Sequence, residues 1–93
     1  MKDPMKMLRQ VQQMQKALEA ETVEATSGGG AVKVIVNGAQ KVVSVYIDPE
    51  ATGDAEMLQD LVLAAVNDAL EKSKAMAAAK LQSGMGLPPG LLG

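Results

Sequence analysis

Two runs in which apolar residues alternate with other side chains constrain the fold of this chain most strongly. Residues 31–37 and 41–47 each place three branched residues on one face: Val32, Val34 and Val36 in the first run, and Val43, Val45 and Ile47 in the second. Such alternation is typical of a half-buried β-strand. The Asn37-Gly38 pair between the runs is a strong hairpin signal. Residues 22–27 alternate more weakly and add an edge strand, so the sequence predicts three antiparallel strands.

Three consecutive glycines, residues 28–30, lie between the first two predicted strands. A phosphate-binding loop runs from a strand into a helix and carries GxxxxGK[ST] or GxGxxG, and neither pattern is present. A connection between strands that needs positive φ explains the glycines better. The sequence therefore predicts a turn here and no nucleotide site.

A helix is predicted before the strands. Asp3 suits the N-cap and Pro4 the first helical position. An apolar stripe follows at spacings of four, three and four residues: Met7, Val11, Met14 and Leu18. At about 100° per residue, a second group falls together on the opposite side: Lys6, Arg9, Gln13 and Lys16. The predicted helix is apolar on one face and basic on the other.

A second helix is predicted after the strands, opened by Asp54 and Glu56 and continuing to about Leu81. Its core stripe is Leu58, Leu61, Val62, Ala65 and Ala69. The apolar sector is widened by Leu63, Val66 and Leu70, which indicates a further contact surface, most simply with a partner subunit. Lys72, Met76 and Lys80 continue the stripe, so the end of the helix is expected to project as an arm. Ser83-Gly84 is expected to stop it, giving a domain over 1–82 and a flexible Gly/Pro-rich tail over 83–93.

Charge is distributed unevenly along the 93 residues. The net charge is −2, but residues 1–16 carry +3, residues 72–93 carry +3 and residues 17–71 carry −8. No acid occurs between Pro4 and Ala17, whereas surfaces usually mix both signs. The basic ends are consistent with binding to a polyanionic partner. The alternative interpretation is that these cations form an ordinary solvated helix face.

Composition excludes several classes of function. The chain has no cysteine and no histidine, so disulfides, thiolate metal sites and histidine bases are absent, and its serines have no histidine to activate them. Tyr46 is the single aromatic residue, which disfavours modules that stack bases. No apolar run could span a bilayer, and no signal peptide opens the sequence. A small cytoplasmic domain without catalytic activity, metal, cofactor, membrane or small-molecule partner is expected, and dimerisation would cover apolar surface that one copy cannot bury.

Several motifs, taken in order, resemble the YbaB/EbfC family of bacterial nucleoid-associated proteins. The matching segments are QVQQMQKALEA, GGGAVKVIVNG, VSVYIDPE, EMLQDLVLAAVNDALEKS and SGMGLPPG, which together cover nearly the whole chain. The resemblance implies an α+β homodimer in which helices project like tweezers from a sheet-built body. It also implies binding of double-stranded DNA through the projecting helices and a part in nucleoid organisation or gene regulation. Mapped onto this sequence, the implied DNA-binding residues are Lys2, Lys6, Arg9, Lys16, Lys72, Lys74 and Lys80.

Other residues are expected to play structural parts. Cations near the end of a helix offset its dipole, which is a second explanation for the last three lysines. The methionines are expected to fill the core, and Asp48 and Glu50 to flank a strand-ending turn. Asn67 is expected to hydrogen-bond within the fold or across a dimer. The alternative to DNA binding is a dimeric protein-interaction scaffold whose lysines only keep the surface soluble.

Overall fold

The structure, a computed structural model, describes residues 4–85. Its elements are α1 (Pro4–Ala20), β1 (Thr22–Ser27), β2 (Val32–Asn37), β3 (Val42–Ile47) and α2 (Ala55–Met85), with 3-10 turns at Gly28–Gly30 and Pro49–Gly53. The predicted α+β order of helix, three strands and helix is therefore confirmed.

The three strands form one antiparallel sheet in the order β1-β2-β3. The central strand supplies most of the core. Its residues Val32, Val34 and Val36 are fully buried and pack against α2, whose Ala65 and Ala69 are also fully buried. Strand β3 lies at the edge beyond the helix, and five of its six residues are exposed. It also carries a bulge, since Ile35 pairs with Ser44 while Val36 pairs with Val42. The core is thus closed over β1 and β2 and open over β3.

The glycine run forms the turn that its position predicts. Gly28, Gly29 and Gly30 have φ of 62°, 68° and 97°, a backbone region that residues with a Cβ rarely adopt. The run connects β1 to β2 through a single 3-10 turn and leads into no helix. The interpretation as a strand connection is confirmed.

The β2–β3 connection is a hairpin, as predicted, but it is not built on a two-residue Asn-Gly turn. Four residues, 38–41, separate the strands, and the residue with positive φ is Gln40 at 64°. The side chain of Asn37 organises the loop by accepting hydrogen bonds from the amides of Ala39 (3.0 Å) and Lys41 (3.1 Å). Gly38 is needed for a different reason, its close approach to the backbone oxygen of Leu18 in α1.

Helix α2 begins as predicted and ends later than predicted. The Asp54 carboxylate accepts a hydrogen bond from the amide of Met57 at 3.0 Å, so Asp54 caps the first turn. The expected stop at Ser83-Gly84 is wrong, because the helix continues to Met85. A glycine inside a helix costs only about 1 kcal/mol relative to alanine, which is too little to end a helix of 31 residues by itself.

Two smaller expectations have opposite outcomes. The turn after β3 is confirmed: Pro49–Gly53 forms a 3-10 turn, and the Asp48 carboxylate accepts from the amide of Glu50 at 3.0 Å. The expectation that methionines fill the core is wrong for Met5, Met7 and Met57, whose side chains are about half exposed or more. Two of these three lie on α1, where the sheet does not reach.

Candidate nucleic-acid interface

Helix α1 is attached to the body only near its C-terminal end. Leu18 is buried, Met14 and Ala17 are half-buried, and every residue from 4 to 13 is exposed. Hydrogen bonds hold this end, since the amide of Gly38 donates to the backbone oxygens of Leu18 (2.8 Å) and Glu21 (2.9 Å). The rest of α1 extends from the body as an arm of roughly three turns.

The basic face of α1 is open to solvent. Lys6, Arg9 and Lys16 are all exposed, and they lie on the side of the helix opposite Leu18. Lys6 and Lys16 form no ion pair with any acid in residues 4–85. Lys2, which the sequence places with this group, lies outside the described residues. The structure therefore keeps three of the four predicted α1-side cations on one exposed surface.

Two of the three predicted lysines of α2 already have partners in the body. Lys72 forms an ion pair with Asp68 at 3.5 Å, and its Nζ also donates to the backbone oxygen of Glu24 at 3.3 Å. Lys80 is paired with Glu21 at the junction between α1 and β1. Exposed ion pairs of this kind contribute only about 0–1 kcal/mol, so each lysine could exchange its partner for a phosphate at little cost.

Lys74 occupies a third position. Two residues along a helix correspond to a rotation of about 200°, so Lys74 and Lys72 point to nearly opposite sides of α2. Lys74 lines a cleft of mixed polar and apolar character beside the β2–β3 loop, together with Gln40, Asn67, Leu70 and Glu71. Asn67 itself makes no hydrogen bond through its side chain within the described part of the chain, so a bond across a dimer remains a prediction for it. The three α2 lysines thus do not share one face with the α1 cations in a single copy.

An apolar groove runs between α2 and the uncovered edge strand. It is lined by Ile47, Leu58, Gln59, Val62, Leu63 and Val66. Leu63 is 61% exposed. Val42, Val43 and Val45, which belong to the edge strand β3, are also exposed. Leu63 and Val66 of this groove are two of the three residues that widen the apolar sector of the second helix in the sequence, and the third, Leu70, lines the cleft that contains Lys74.

The chemistry available at these surfaces is electrostatic and apolar contact. No group of three or more potential metal ligands is found among residues 4–85. Within the same range, no helix has the length and hydropathy needed to cross a membrane. Sequence reasoning missed the contacts of Lys72 and Lys80 with the body, because these lysines contact residues 48 and 59 positions away. The other partner of Lys72, Asp68, is four residues away on the same helix, and helical spacing could have indicated it. Sequence reasoning also missed Gly38 as the contact that fixes the arm, for which the sequence carries no signal beyond the glycine itself.

The fold and its exposed surfaces define a class: an α+β protein whose terminal helix carries cations away from a largely acidic body. Residues 1–87 match the YbaB/EbfC DNA-binding family, and the chain belongs to that family.

Similar proteins share both sequence and fold. A nucleoid-associated protein of Chlorobium luteolum is 50% identical, and the match covers 97% of this chain and 89% of that protein. Another nucleoid-associated protein, from Desulforamulus reducens, is 47% identical and covers 89% of this chain and 90% of its own length. The crystal structure of uncharacterized protein HP0035 from Helicobacter pylori superimposes with a TM-score of 0.71 at 26% identity, covering 85% of this chain and 93% of that one.

Proposed function

We propose that this protein is a homodimeric, non-enzymatic nucleoid-associated protein that binds duplex DNA through the basic face of α1. The central contacts are Lys6, Arg9 and Lys16, extended by Lys2 at the start of the chain. Lys72, Lys74 and Lys80 contribute secondary contacts. The protein acts in the cytoplasm at the nucleoid, in chromosome organisation or gene regulation.

The observation that carries this proposal is the separation of charge between arm and body. The exposed cations of α1 stand on a helix without an acid between Pro4 and Ala17, whereas residues 17–71 carry a charge of −8. A duplex lying along the arm meets positive charge and stays away from the acidic segment after β3, since residues 48–71 carry a charge of −7. Lysine and arginine that neutralise phosphates release condensed counterions, which favours binding even for a protein of negative net charge.

The homodimer is supported by the apolar groove between α2 and β3. Contiguous exposed apolar surface of this kind is unusual on a monomer and is typical of an interaction site. A second copy placed on the groove would cover Leu63, Val66 and the exposed valines of β3. Two arms would then present twice the positive charge of one, which a chain with few cations needs.

Low sequence specificity follows from the side chains that the arm offers. Phosphate contacts position a protein on DNA and carry no sequence information directly. Base edges in the major groove are read mainly by arginine, asparagine and glutamine. Arg9 is the only arginine of the chain, and the glutamines of α1 are shared between its flanks and its basic face. Binding dominated by lysine is therefore expected to discriminate little between sequences.

The test is a titration of fluorescently labelled duplex at several salt concentrations. If three α1 cations of each copy neutralise six phosphates, log K falls with log salt at a slope of about −5. Binding that is absent at low ionic strength, in a protein confirmed to be folded and dimeric, would contradict the proposal. It would favour the alternative of a protein-interaction scaffold, for which the exposed Met7 and Val11 of α1 would be the contact surface.

A further inference from the structure

The apolar stripe of α1 is only half covered in one copy of the chain. Leu18 is buried and Met14 is half-buried, where the helix meets Gly38 and the Met76 side chain of α2. Farther along the same stripe, Val11 is 60% exposed and Met7 is 62% exposed. The outer half of the stripe therefore continues an internal helix contact past the point where residues 4–85 supply a partner.

The spacing of the stripe is that of a coiled-coil seam. Met7, Val11, Met14 and Leu18 follow one another at four, three and four residues, which corresponds to alternating d and a positions of a heptad. A single sheet-packing helix usually has a broader apolar sector. The pattern thus favours another helix as the occupant of the seam.

The residues that flank the seam show which helix fits. In this register, the e and g positions are Leu8, Gln10, Gln15 and Ala17, and none of them is charged. An acidic partner helix would be matched by cations at these positions. All three exposed cations of α1 instead lie at positions c and f, on the back of the helix. Two copies of α1 can therefore meet through the seam without bringing their positive charges together.

The groove between α2 and β3 and the contact between α1 and α2 lie at different positions along α2. Its α2 residues are 58–66, whereas α1 meets α2 at Met76, ten residues and about 15 Å beyond Val66. The contact that holds α1 against α2 thus lies outside the groove.

We propose that the outer half of the α1 seam pairs with the same segment of α1 in another dimer. The paired arms keep Lys6, Arg9 and Lys16 on their outer surfaces, so an assembly of dimers presents basic faces on both sides and can hold neighbouring DNA segments together. This inference rests on the proposed dimer. The seam is short, so the pairing is weak in free solution and strengthens when dimers bound to one duplex raise each other's local concentration.

Crosslinking tests this pairing directly, because the natural chain has no cysteine. The full-length Val11→Cys variant is treated with a short bismaleimide, with and without duplex DNA, and the native mass is measured by light scattering before and after. The matched control is Gln13→Cys, whose thiol lies on the back of the same exposed helix. The expected result for Val11→Cys is a four-chain native mass, in which a covalent link between one chain of each dimer joins two dimers; it is increased by DNA and absent from Gln13→Cys. Substitution of both exposed seam residues, Met7→Gln with Val11→Gln, is expected to abolish DNA-dependent assembly beyond the dimer.

Two outcomes would overturn the pairing. One is equal crosslinking of both cysteine variants, which would indicate random collision. The other is an intact dimer whose Val11→Cys form does not crosslink, which would leave the seam to a helix of another protein. A single-chain mass before crosslinking would instead refute the proposed dimer. In that case, a two-chain product specific to Val11→Cys would still support pairing of the seam.

Discussion

Replacing Gly38 with alanine should displace the C-terminal end of α1 from its contact with the β2–β3 loop. A Cβ built at this position lies 2.7 Å from the backbone oxygen of Leu18 and 3.1 Å from both Leu18 Cδ2 and Met76 Cε. The closest of these atoms is backbone, so it cannot move away as the end of a flexible side chain could. Alanine is therefore expected to push the C-terminal end of α1 away from the β2–β3 loop and to lengthen the two hydrogen bonds that the Gly38 amide makes to α1.

The expected cost can be estimated from these contacts. Overpacking of a fitted site costs about 1–3 kcal/mol, and the weakened hydrogen bonds add about 1 kcal/mol. The sum of about 2–4 kcal/mol is a large part of the roughly 5–14 kcal/mol expected for a chain of this length, and it corresponds to a fall in Tm of about 10–25 °C.

Thermal unfolding followed by circular dichroism, at a fixed protein concentration because of the proposed dimer, measures the effect. Gly53→Ala is the matched control, since among residues 4–85 no atom beyond the glycine and its two chain neighbours lies within 4 Å of an added Cβ. Its change should stay within about 0.5 kcal/mol. Equal stability of the two variants would refute the idea that Gly38 is required for close contact with α1.

Three further predictions address the core, the groove and the lysines. Ser73→Ala removes a buried hydroxyl that donates to the backbone oxygen of Asn37, at the end of β2, at 2.6 Å. Urea unfolding should show a loss of about 0.5–1.5 kcal/mol in the free energy of unfolding, and no loss would contradict this role. Leu63→Glu should convert the dimer to single chains, as measured by light scattering. Met57→Glu, at an exposed apolar position outside the groove, should leave the dimer intact. An unchanged dimer in both variants would exclude the groove as the dimer interface. Glu21→Gln should release Lys80 and raise duplex affinity. The control Glu50→Gln removes the same charge from a residue that does not pair with Lys80, and its effect should be smaller. Equal effects would show that Lys80 does not bind DNA.

The arrangement of helices and strands could be predicted from the sequence because it depends on short-range patterns. Alternating valines define β2 and β3, and the periodic stripe defines α1. The glycine run was also readable, since a loop between strands needs residues that accept positive φ. Each of these features involves neighbours only a few positions apart.

The details of the β2–β3 loop could not be predicted in the same way. The pair Asn37-Gly38 has the composition of a two-residue turn, yet tertiary contact assigns both residues other parts. The Asn37 backbone oxygen accepts from buried Ser73, and Gly38 contacts the end of α1. Packing between elements distant in sequence decides such details, and local turn preferences do not contain that information.

The candidate site was predictable only in part for the same reason. Helical periodicity is sufficient to collect Lys6, Arg9 and Lys16 on one face, and the structure leaves that face exposed. Charge counting gave Lys72 and Lys80 equal standing with them, but these two lysines contact Glu24 and Glu21 of the body. A sequence shows how many cations an arm carries, whereas the fold determines which of them already have partners.

The most direct test of the central claim compares duplex affinity before and after the basic face of α1 is removed. In the variant, Lys6, Arg9 and Lys16 are replaced together by alanine. In the control, called the sheet variant, Lys33 of β2 and Lys41 of the adjoining β2–β3 loop are replaced by alanine. Both proteins are measured at matched folding and oligomeric state. We expect the α1 variant to lose most of its affinity and most of the salt dependence, and the sheet variant to keep both. Unchanged affinity of the α1 variant would show that this helix is not the DNA-binding surface.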